Sequence, residues 1–140
     1  IIKHSNQMSQ IISFIHTNLS SKTRNLSAMD YNRFDRLVMS LRNENLLYVK
    51  AIFDKNGHIQ GGAFFVEQNN SILYLKGATS KDAQDEGSMY ALINEGISLA
   101  KSKNKSFDYG GSRIPGVRQF FMNIGGYDQK YYFYQSDLQT

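Results

Sequence analysis

Two apolar runs, Leu46-Leu47-Tyr48-Val49-Lys50-Ala51-Ile52-Phe53 and Ile59 to Val66, are joined by Asp54-Lys55-Asn56-Gly57 and one further residue. Parallel strands need a crossover of a dozen or more residues, so a link this short carrying Asn-Gly makes an antiparallel hairpin. Gln68-Asn69-Asn70 then turns the chain into a third run, Ile72-Leu73-Tyr74-Leu75-Lys76-Gly77-Ala78. The middle of the chain is therefore a meander. Gly61-Gly62 falls inside its second strand, where glycine marks a bulge or close packing more often than a ligand contact.

Helical periodicity flanks the meander. Met8, Ile11, Ile12, Ile15 and Leu19 lie at helical spacing, and the polar stretch Ser20 to Asn25 separates them from a second helix. Ser27 can cap that helix, Asp30 sits in its first turn, and Tyr31, Phe34, Leu37, Val38 and Leu41 form its apolar stripe. After the meander, Met89, Leu92, Ile93, Gly96, Ile97 and Ala100 share one face of a longer helix, with candidate caps spread over Ser80, Asp82, Asp85 and Ser88. A strand at Ser106 to Tyr109, a short helix near Pro115 to Asn123, and an aromatic strand at Lys130 to Tyr134 complete the order. Hairpins followed by a strand–helix–strand crossover imply an α/β fold with a mixed, mostly antiparallel sheet and helices on both faces.

The chain's 140 residues suit one domain, and a 41% hydrophobic content supplies a core without disulfides. The absence of cysteine excludes thiol catalysis and thiolate metal sites. His4, His16 and His58 fall in different elements without metal-ligand spacing, so no metal is expected. No P-loop, dinucleotide or Ser-His-Asp arrangement is present. No run approaches a membrane span and no signal peptide is visible. The formal charge of +4 fits an anionic partner such as a coenzyme or a nucleic acid without choosing between them. Lys101, Lys103 and Lys105 are read as favouring the dipole at a helix end. A start at Ile1 suits a processed form or an excised domain.

Phe107-Asp108-Tyr109-Gly110-Gly111-Ser112 is the candidate site: a strand that breaks at a diglycine, where the backbone can turn sharply or approach a ligand. Asp108 is the acid in a core strand outside the turns. It reads either as a general base or amine ligand, or as a cap for the next helix or a partner of Arg113 or Arg118. Arg113 can hold a carboxylate or phosphate bidentately, or stand exposed. Of Tyr131, Tyr132 and Tyr134, Tyr132 is the candidate phenolic acid, against the plainer reading of an aromatic core strand. Lys76 reads either as a site residue or as a solvated strand lysine.

Together, Leu73 to Ser80, Gly87 opening a helix, Phe107 to Ser112, Gly116, Phe120 and Gly125-Gly126 before a Tyr-rich strand resemble the GNAT superfamily of N-acetyltransferases. Within it they look most like one domain, the C-terminal half, of the two-domain Fem-type aminoacyltransferases. The resemblance implies a sheet splayed between the superfamily's fourth and fifth strands, holding an acyl carrier. Tyr74, Leu75, Lys76 and Gly77 would line that splay. Gln84, Gly87 and Ser88 would belong to the phosphate loop, and Gly110, Gly111, Ser112 and Arg113 would face the substrate. It implies acyl-CoA or aminoacyl-tRNA as donor, an amine as acceptor, possible tRNA contact, packing on a second GNAT-like domain, and work in the cytoplasm on peptidoglycan precursors. The loop departs from the superfamily pattern: Met89 replaces a small residue, and Asp82, Asp85 and Glu86 set like charge where a pyrophosphate would arrive. Three functions follow as expectations: a Fem-like acyltransferase, a free-standing acetyl-CoA-dependent N-acetyltransferase, or a catalytically silent half that supports a partner domain or binds substrate.

Overall fold

The computed structural model describes residues 8–20, 28–81 and 87–110. Three helices, α1 (Met8–Ser20), α2 (Ala28–Asn43) and α3 (Ser88–Ser102), surround a four-stranded sheet of β1 (Leu47–Phe53), β2 (Ile59–Glu67), β3 (Ser71–Thr79) and β4 (Ser106–Asp108) among the described residues. The sheet order is β1-β2-β3-β4. The first two pairings are antiparallel and β3–β4 is parallel. The expected short helix near Pro115 and the strand near Tyr132 lie outside the described residues.

The β1–β2 hairpin closes as its turn chemistry dictates. Gly57 takes a positive φ of 84°, and the Asp54 carboxylate accepts hydrogen bonds from the amides of Asn56 (2.8 Å) and His58 (2.9 Å). Those amides hold the Asp54 carboxyl below its ordinary pKa, the bond from His58 foremost. Two helices end alike, at an asparagine in the left-handed region. Asn45 (φ 58°) follows α2, with Leu46 N–H bonded to Leu41 O. Asn104 (φ 56°) follows α3, with Lys105 N–H bonded to Ala100 O. This is the Schellman ending, and asparagine tolerates it better than most side chains.

The sheet has a core on each face. On one, Ile11 and Ile15 of α1 and Val38 of α2 pack on Val49, Ala51, Phe64 and Ala78. On the other, Leu92 and Ala100 of α3 pack on Ala63, Phe65 and Ile72. Leu37 departs from the expected α2 stripe: it is 44% exposed, because Phe34 and Val38 already fill the contact with the sheet. The Gly61-Gly62 pair serves packing. A Cβ on Gly62 would stand 2.8 Å from Ile11 Cγ2, and one on Gly61 would stand 3.1 Å from Leu92 Cδ1.

Candidate functional site

The pairing of β3 with β4 runs through Ser71↔Ser106, Ile72↔Phe107 and Leu73↔Asp108, and there it stops. β3 continues to Thr79, still paired with β2 on its other edge. Among the described residues, the ladder between β3 and β4 therefore ends at Leu73↔Asp108. Gly110 follows the end of the ladder in a left-handed turn. It has φ 81°, and a Cβ there would lie 3.1 Å from Tyr74 O, so only glycine permits this turn at this distance. The Asp108 carboxylate holds the turn by accepting the Gly110 N–H at 2.8 Å.

A second irregularity lies on β3 itself. Phe64 pairs with Lys76 but Phe65 pairs with Tyr74, so Leu75 is an extra residue and β3 is bulged there. The bulge inverts the alternation of side chains beyond it. Ile72 and Tyr74 face α3, whereas Leu75 and Ala78 face α1 and α2. Lys76 goes with the second group: its ammonium lies over the Phe34 ring of α2, 5.4 Å from the centroid. Gly77 returns to the α3 side, where the Tyr74 hydroxyl would be 2.9 Å from an added Cβ.

Tyr74 is half-buried between Phe65 (centroids 6.0 Å apart) and Met89, whose Sδ accepts its hydroxyl at 3.9 Å. Burial pushes its pKa up to about 12, so this phenol stays neutral across the physiological range. Burial raises the Tyr109 phenol in the same direction. Behind them, Phe107 and Phe65 meet at 6.0 Å over Gly96, where an added Cβ would be 2.7 Å from Phe107 Cε2 and closer still to Phe65. The α3 face is thus closed where β3 and β4 are paired.

Helix α3 begins at an N-cap Gly87 in the left-handed region (φ 74°), which has no side chain to cap the turn. A Cβ at Gly87 would meet nothing within 4 Å, so glycine is required there by conformation alone. Ala91 N–H is bonded back to Gly87 O at 3.2 Å; the amides before it belong to the turn that leaves helix N–H groups without intrahelical acceptors.

Of the expected site residues, the structure brings Tyr74, Leu75, Lys76 and Gly77 to the splayed half of β3, with Asp108 and Gly110 at its mouth. Gly87 and Ser88 stand at the start of α3, and Ser88 is buried. Lys76 turns to the face opposite Tyr74, a split no strand alternation shows. Gln84, Gly111, Ser112, Arg113 and Tyr132 lie outside the described residues. Lys103 and Lys105 do more than favour a helix dipole. Both bind Glu67 Oε1, at 3.1 and 3.3 Å, and Lys105 also donates to Gln68 O at 2.7 Å, tying the α3–β4 turn to the β2–β3 turn. Among the described residues, no group of His, Asp and Glu could hold a metal ion, and no helix is long and apolar enough to cross a membrane.

No protein-family model matches the chain. No curated protein sequence matches it either. Solved structures do match. A possible acetyltransferase from Clostridium difficile is 12% identical with a TM-score of 0.76, over 100% of this chain and 98% of that one. A predicted acetyltransferase from Clostridium acetobutylicum with acetyl-CoA is 14% identical with a TM-score of 0.73, over 97% and 94% of the two chains. An aminoglycoside antibiotic 6'-N-acetyltransferase from Acinetobacter haemolyticus is 10% identical with a TM-score of 0.71, over 100% and 99%. The fold is GNAT-like.

Proposed function

We propose that this chain is an N-acyltransferase that takes its acyl group from coenzyme A and delivers it to an amine. The observation that carries the reading is the splay. The β3–β4 ladder ends at Leu73, and the helix that follows β3 starts at a glycine-capped turn. Beyond the ladder, the edge of β3 offers backbone groups at a strand's spacing to an extended amide-containing chain such as pantetheine. The start of α3 offers N–H groups and the positive end of a helix dipole to phosphates. The residues present fit such a carrier, since Gly87 starts α3 in a left-handed turn with no side chain of its own to cap the helix N–H groups. When bound, the coenzyme supplies an activated thioester. The chain must position the acceptor amine, keep it unprotonated and deliver a proton to the departing thiol.

Solved structures of the same fold support the donor, since one holds acetyl-CoA and another is an N-acetyltransferase. Asp82, Asp85 and Glu86 oppose it by their charge, so the affinity should be modest. The Fem-type refinement, with aminoacyl-tRNA as donor and a second GNAT-like domain alongside, rests on the sequence motifs. None of the structures named above is a Fem-type protein.

Thermal denaturation with and without acetyl-CoA tests the proposal. A ligand at 100 times its dissociation constant stabilises by about 2.7 kcal/mol. An unchanged Tm at millimolar acetyl-CoA would overturn it. Binding of charged tRNA that weakens steeply with salt would move the donor to the Fem type. Binding of neither carrier would leave a domain that keeps the fold without the reaction.

A further inference from the structure

We propose that Lys76 is a specificity-determining residue, and that the acceptor is a small amine which also carries an anionic group, a carboxylate or a phosphate. The inference rests on the acyltransferase reading and names the substrate class of that same site.

Lys76 is a half-buried cation in the middle of a strand, on a face that α1 and α2 cover. Burying a charge is costly unless it is paired. The chain pairs other lysines with an acid: Lys103 and Lys105 converge on Glu67. For Lys76 the described residues supply the Phe34 ring and no carboxylate. A cation–π contact of this kind offsets only part of the lost hydration, and it leaves the ammonium's donors able to take an anion. The bulge at Leu75 puts the cation there. With regular alternation Lys76 would share the α3 face with Tyr74, so the extra residue carries the charge across the sheet.

Position completes the argument. In the proposed site the carrier's phosphates lie at the start of α3, and behind the splay the α3 face is filled by Phe65, Phe107 and the backbone of Gly96. An acceptor must therefore reach the acyl group along the edge of β3 beyond its pairing with β4. Lys76 stands next to that edge, one residue beyond the bulge, with its ammonium on the α1/α2 side. Its ammonium is a point charge that suits either a carboxylate or a phosphate.

Matched acceptor pairs test this. With acetyl-CoA as donor, thiol release is followed for amino acids against their C-terminal amides, and for O-phosphoethanolamine against ethanolamine. The first set reads a carboxylate, the second a phosphate. A charge-assisted hydrogen bond predicts that the anionic member of a pair is preferred by about tenfold in kcat/KM, mostly through KM. Lys76→Met should bring that ratio close to one, and Lys76→Arg should retain most of it. Lys76→Gln replaces Lys76→Met if the latter does not fold. A ratio near one in the unaltered protein, or one that survives Lys76→Met, overturns the proposal. The same pairs titrated into 15N-labelled protein give a readout without turnover: the anionic members alone should shift the amides around Lys76, and the absence of any shift overturns the proposal. Failure to bind acetyl-CoA sinks the coenzyme A reading on which this inference rests. Coenzyme binding without discrimination among acceptors sinks only the role of Lys76.

Discussion

Strand β3 has two edges, and they have been treated differently. Toward β2 it is paired from Ile72↔Glu67 to Thr79↔Gly61 through a bulge. Toward β4 it is paired only from Ser71 to Leu73. The sealed edge is held by burial on both faces, with Phe64 under α1 and α2 and Phe65 under α3, each 0% exposed. The ladder ends just before Gly110, which takes a left-handed turn beside Tyr74 O. The difference shows how a strand can offer backbone groups to a ligand: one edge and two packed faces keep it in place while the other edge runs on beyond its partner.

The severest way to break this contrast is Phe65→Ala. That ring touches Tyr74 and Phe107, so its loss should loosen the sealed edge and the closed end of the splay together. The expected cost is about 4 kcal/mol in urea denaturation. Gly96→Ala attacks the closed end alone. The added Cβ collides with Phe65 and Phe107, and overpacking should outweigh the gain in helix propensity, for a net loss of about 2 kcal/mol.

Alkaline pH separates the buried wall of the splay from its surroundings. The Tyr74 pKa rises on folding from 10.0 to about 12, so the native state holds a proton that the unfolded chain releases. Its contribution is complete below the unfolded value and is lost as pH rises through the folded one. Tyr74→Phe should remove this part of the alkaline loss, on the order of 2 kcal/mol, in denaturation measured across that interval.

Sharpening the β4-side edge calls for a milder change. Removing one like charge with Asp85→Asn should tighten acetyl-CoA binding about threefold at low salt, with the gain fading as salt is added. Calorimetry at two ionic strengths would check it. The smallest effect belongs to Glu67. Lys103, then Lys105, hold its carboxyl below the ordinary value of 4.5. That stabilisation is present above the ordinary pKa and is lost as pH falls through the lowered one. Glu67→Gln should flatten the acid limb of the stability curve slightly, and less so in high salt.

Much of the fold was readable because local chemistry repeats along the chain. Asp54 to Gly57 could make little but a tight turn, the apolar runs of β1 and β2 mark strands, and the spacing of Leu92, Gly96 and Ala100 marks a buried helix face. Gly110 was legible as a break. The boundary of α3 was not, since several caps compete before Ser88 and the helix starts on the uncapped Gly87. Nothing local marks Leu75 as a bulge either. Its neighbours Leu73, Tyr74 and Lys76 suit a regular strand equally well, and the register slips only in pairing with Phe64 and Phe65. Nor could the spacing of Lys103 and Lys105 reveal Glu67, which lies in another turn.

The sequence by itself determined the hairpin, the helix order and the strand–glycine break, because turn chemistry and hydrophobic period act over a few residues. Tertiary structure alone decided how far β4 follows β3, which face receives Lys76, and that Gly96 is a contact between rings. Each of these depends on groups distant in sequence meeting across the sheet. Asp108 shows the division within one residue: its position at the diglycine was plain from the chain, and its bond to the Gly110 N–H is set by the turn that opens the splay.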